Sequence, residues 1–68
     1  MILKQGIIES GEYTGWEIRV VDDTYGNTGG FYLILRNESV DVFDFWFEKK
    51  QFVDNQLADF DVKWDFWN

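Results

Sequence analysis

Apolar and polar residues alternate with a period of two along most of this chain, and the period changes only once. A period of two places successive side chains on opposite faces of a strand, whereas spacings of three and four gather them on one face of a helix. In Val40–Phe47, Phe43, Phe45 and Phe47 alternate with Asp44, Trp46 and the following Glu48. Trp16, Ile18 and Val20 alternate with Glu17, Arg19 and Val21 in Trp16–Asp22. Phe31, Leu33 and Leu35 alternate with Tyr32, Ile34 and Arg36 in Phe31–Arg36. Ile2–Glu9 is a less regular strand, with Ile2, Leu3, Ile7 and Ile8 as its apolar content. At the other end, Val62, Trp64 and Phe66 alternate with Asp61, Lys63, Asp65 and Trp67. The exception runs from about Glu48 to Asp59. Phe52, Val53, Gln56, Leu57 and Phe60 sit there at helical spacing, leaving Lys49, Lys50, Asp54 and Asn55 for solvent.

The order is therefore β-β-β-β-α-β. Ser10-Gly11-Glu12 and Asn37-Glu38-Ser39 supply turns, and Asp22–Gly30 forms the main loop. In that loop Gly26-Asn27 and Gly29-Gly30 make positive φ inexpensive. Hairpin-length links favour antiparallel pairing, and the helix before the last strand permits a crossover that sets the last two strands parallel. The expected fold is α+β: one domain over residues 1–68, with a small, mostly antiparallel sheet of four to five strands and one short helix on one face. A helix of two to three turns is marginal alone, so packing on the sheet must hold it.

Composition sharpens this picture. With 68 residues and no Cys, His or Pro, the chain is near the lower size limit for independent folding and has neither disulfides nor thiolate or imidazole metal ligands. Four Trp, three Tyr and seven Phe must supply much of the core, at about 150–250 Å² of burial each. That exceeds what so small a core needs, which leaves aromatic surface for a partner. If the helix covers Phe43, Phe45 and Phe47, the other face shows Tyr32, Ile34, Trp46, Trp67 and Val21 among Glu17, Asp23, Asp44, Glu48 and Asp65, with Arg19, Arg36 and Lys63 partly offsetting that charge. Such a face offers aromatic anchors with carboxylates to steer a basic protein. It equally fits a homodimer interface, cover by the Asp22–Gly30 loop, or ordinary sheet packing of aromatics.

Several classes are disfavoured. A net charge of −7 repels nucleic-acid phosphates and anionic membranes, and no apolar run is long enough to span a bilayer. Ser10 and Ser39 have no His or Cys to work with, so catalysis is not expected. Asp59-Phe60-Asp61 and Asp41-Val42-Phe43-Asp44 lack calcium-loop spacing, and Gly26–Gly30 lacks the Lys of a phosphate loop. No metal or cofactor is expected. The absence of a leader pattern in Met1–Ile8 gives a cytoplasmic expectation.

Three blocks carry a resemblance: Gly15-Trp16-Glu17-Ile18 with Asp22-Asp23, Gly29-Gly30 through Leu35, and Phe43-Asp44-Phe45-Trp46 before a helix and Val62-Lys63-Trp64. Together they resemble small acidic bacterial immunity proteins, the inhibitors of secreted toxins. The resemblance implies a non-enzymatic inhibitor of a basic toxin or nuclease. The contact residues expected from the face reading are Trp46, Trp67 and Tyr32 as anchors with Asp44, Glu48, Asp23 and Asp65, and Tyr25 with Asp22 as a second patch. The alternatives are a homodimeric assembly protein and a phage-type mimic of DNA.

Overall fold

The period-two segments become a five-stranded antiparallel sheet in the computed structural model, which describes residues 1–39 and 41–67, Trp67 through its backbone alone. The elements are β1 (Ile2–Ile8), β2 (Glu17–Asp22), β3 (Phe31–Arg36), β4 (Val42–Phe47), α1 (Lys50–Leu57) and β5 (Val62–Trp67). The α+β order read from periodicity is therefore the order observed. The helix has eight residues, within the expected two to three turns, and β4 begins at Val42, with Asp41 just before it; Val40 lies outside the described residues.

The strands lie in the order β4-β3-β2-β1-β5, and every neighbouring pair is antiparallel. β4 and β5 run in the same direction but occupy opposite edges, so the parallel pairing that the crossover permitted does not form. The chain instead carries α1 across the sheet, and β5 closes against β1.

The core lies on the inner face, between the sheet and α1. Ile18 pairs with Leu35 and Val20 with Leu33, and these four are buried with Ile8 and Val53. Full burial of each aliphatic side chain contributes roughly 1.5–3 kcal/mol. Val53 is the buried residue of α1, which packs on β3 and β4. Trp16, Phe31, Phe47, Leu57, Phe60, Val62 and Trp64 pack half-buried around this centre. Beyond the helix, Lys4 covers the Trp64 ring, with Nζ 5.2 Å from its centroid.

Strict alternation puts Phe66 on one face with Val62 and Trp64, but the β1–β5 register shifts between Gln5 and Gly6. Gly6 pairs with Trp64, whereas Gln5 pairs with Phe66, so the bulge carries Phe66 to the outer face, where it is half-exposed. Gly6 shows how closely the backbones approach there. A methyl at this position would overlap the Lys63 carbonyl oxygen and lie 2.9 Å from Trp64 Cα. Neither neighbour is the end of a flexible side chain, so the backbone itself must move.

Two substitutions test this packing by urea unfolding. Val53→Ala is expected to cost about 2 kcal/mol by emptying the one fully buried helix position. Gly6→Ala is expected to cost about 1–3 kcal/mol by forcing β5 away from β1.

Candidate binding surface

The outer sheet face gathers some of the expected anchors and separates others. Tyr32 lies directly opposite Trp46, and Ile34 opposite Asp44, so Tyr32, Trp46 and Asp44 form one patch across β3 and β4. Trp46 is half-exposed, and its indole lies over Gly30, where a side chain would strike the ring 2.6 Å from Cε2. Asp65 and Trp67 belong to β5, four strand spacings from β4, or about 19 Å. The Trp67 side chain lies outside the described residues, and its backbone pairs with Lys4. Trp46 and Trp67 thus sit on opposite edges rather than side by side.

The carboxylates also differ from expectation. Asp23 and Asp22 organise the β2–β3 loop. Asp23 Oδ2 accepts from the Thr28 hydroxyl at 2.7 Å, and Asp22 Oδ1 accepts from the Thr24 hydroxyl at 2.6 Å and its N–H at 2.8 Å. Tyr25 stands fully exposed at the tip of this loop, and Glu48 is exposed just past β4. On the face itself Glu17 and Asp44 are offset by Arg19, Arg36 and Lys63. Glu17 Oε1 lies 3.0 Å from Arg19 and 3.6 Å from Arg36. The outer face is close to neutral, not acidic.

The negative charge is gathered elsewhere. The β1–β2, β3–β4 and α1–β5 connections all lie at one end of the sheet, and none contains Lys or Arg. They carry Glu9, Glu12, Glu38, Asp41, Asp59 and Asp61, all exposed. Two contacts lock the first and last of these connections together: Glu9 N–H donates to Asp61 O at 2.7 Å, and Ser10 Oγ to Asp61 Oδ2 at 3.4 Å. In the β1–β2 connection, Gly11 (φ 91°) and Gly15 (φ 87°) supply the left-handed positions that return the chain toward β2.

Tyr13 ties this end together. Its ring lies 5.0 Å from Trp16 edge-on, 6.3 Å from Phe43 and 6.3 Å from Phe60, while Trp16 and Phe43 stack at 5.7 Å. Beside it opens a cleft of about 200 Å³ lined by Tyr13, Phe45, Gln56 and Phe60, with Leu33 and Leu35 as its floor. The cleft lies beside α1, which packs on β3 and β4 but leaves part of the β4 inner face uncovered. Phe43 and Phe45 point to the core side yet remain 45% and 47% exposed.

The lining is apolar apart from the Tyr13 hydroxyl and the Gln56 amide, so the cleft can take an apolar side chain. Among the described residues no three His, Cys, Asp or Glu converge as metal ligands. Periodicity assigned Phe43 and Phe45 to a closed core and so missed this cleft. The available signals were the surplus of aromatic area and three connections free of Lys and Arg.

Asp22 gives a direct check on the loop. Its carboxyl is held below its ordinary 3.8 by the Thr24 hydroxyl first and the Thr24 N–H second. A depressed folded value means that this loop contact is fully present above about pH 4 and is lost as pH falls through the lowered value. An NMR titration should therefore show the Thr24 amide following Asp22 with a midpoint under 3.8. A midpoint at or above that value would break the assignment. Comparison with protein families, curated proteins and solved structures finds no match to this chain.

Proposed function

We propose that this chain is a non-catalytic protein-binding module, an acidic inhibitor of the immunity type that blocks a basic surface of a partner such as a toxin or nuclease. One observation carries the reading. Exposed carboxylates of three connections gather at the end of the sheet where Tyr13 and Phe60 border a half-open aromatic cleft, with no Lys or Arg in those connections. Cations on a partner meet complementary charge at that end, while an apolar side chain gains buried area against Phe45, Phe60 and Tyr13. The charge accelerates encounter, and the cleft slows release. Tyr32, Trp46 and Asp44 form a second patch on the opposite face, separate from the acidic end.

Capture of partners from the source lysate at low and high salt tests the proposal, using the wild-type chain beside Glu12→Lys/Asp61→Lys. The reading predicts a stoichiometric basic protein, held at low salt and released at high salt. The double reversal should lower its association rate by about tenfold or more and flatten the salt dependence. Equal capture by both chains, or recovery of the bait alone, contradicts the reading.

A further inference from the structure

The two edges of the sheet are guarded unequally. β5 carries Lys63 and Asp65 and is bent by its bulge, all features that discourage strand addition. β4 has no bulge and one charged residue, Asp44. Its sequence is Val-Phe-Asp-Phe-Trp-Phe, it pairs with β3 in unbroken register, and Val42–Trp46 are exposed throughout. Among the described residues it has a ladder neighbour on one side only.

The phase of the ladder identifies the open backbone groups. Asn37 N–H donates to Asp41 O at 3.3 Å, which extends the β3–β4 ladder by one pair and makes that pair hydrogen-bonded. Bonded pairs recur every second residue, so Phe43, Phe45 and Phe47 bond inward to β3. The N–H and C=O groups of Val42, Asp44 and Trp46 therefore point to the open edge.

We infer that β4 pairs antiparallel with β4 of a second copy, about a two-fold axis through Phe45, to give a continuous ten-stranded sheet. Symmetry requires the axis to be perpendicular to the sheet, so each residue faces one from its own side of the sheet. Registers centred on Asp44 or Phe45 pair five of the six β4 residues, against three for those centred on Phe43 or Trp46. Centring on Asp44 opposes two Asp44 side chains, and centring on Trp46 opposes Asp44 to Glu48. Centring on Phe45 opposes Phe45 to itself, Phe43 to Phe47 and Asp44 to Trp46. It also brings Asp41 opposite Lys49, where the backbone is still extended (φ −132°, ψ 148°). Charge thus selects one register, and that register joins the two inner-face Phe rows. Both aromatic clefts then open on the same side of the assembly.

Sedimentation equilibrium of the full chain tests this with three variants. The wild type should dimerise reversibly, with Asp44→Asn unchanged. Asp44→Pro removes only an outward N–H, so it should lose the dimer while keeping the wild-type circular dichroism spectrum. Lys49→Glu, which sets two carboxylates opposite Asp41 and its symmetry mate, should weaken the dimer about tenfold, and adding Asp41→Lys should restore it. A wild-type monomer up to about 0.5 mM overturns the inference. So does a dimer indifferent to both Asp44→Pro and Lys49→Glu, which would place self-association on another surface.

Discussion

An α-helix with its side chains is about 10 Å across, and α1 has to cover a five-stranded sheet about 19 Å wide. With eight residues it is also only about 12 Å long, so it cannot. It buries one residue, Val53, over β3 and β4, and the remaining inner face is closed by rings and by Lys4 over Trp64. The aromatic richness of the chain follows from that shortfall. Large flat side chains at the margins do what a second helix does in a bigger domain, but they leave the end of β4 open.

The same shortfall decides which parts were legible in the sequence. Phe31–Arg36 and Trp16–Asp22 announced themselves because strict alternation has no other stable reading when one face is buried, and both strands are central. The identity of the inner face followed from the same alternation at Ile18, Val20, Leu33 and Leu35. Phe66 escaped because a bulge resets the phase locally, and its structural setting, the close approach of β5 to Gly6, is a contact between distant segments. The exposure of Phe43 and Phe45 escaped for a related reason. Periodicity reports which face a residue is on, not how far the covering layer reaches.

Charge shows a similar division between composition and placement. The excess of carboxylates was evident from composition, but attaching it to Trp46 and Tyr32 assumed an even distribution. In the fold, Asp22 and Asp23 hold a loop, Glu17 is matched by Arg19 and Arg36, and the outer face is nearly neutral. The connections at one end keep the excess. A hairpin-rich sheet brings turns that are far apart in sequence to the same end, so acidic turns become an acidic pole without any one segment being strongly charged.

The central claim is that the inner face is incompletely covered, leaving an aromatic cleft open at the acidic end. Solvent paramagnetic relaxation with a neutral, soluble nitroxide, read on ring and methyl NMR signals, tests it most directly. In a sample dilute enough to be monomeric, the account predicts strong broadening of the Phe43 and Phe45 rings while the Leu33 and Leu35 methyls below them stay sharp. Equal protection of the rings and the methyls would mean that the face is closed, and would contradict it.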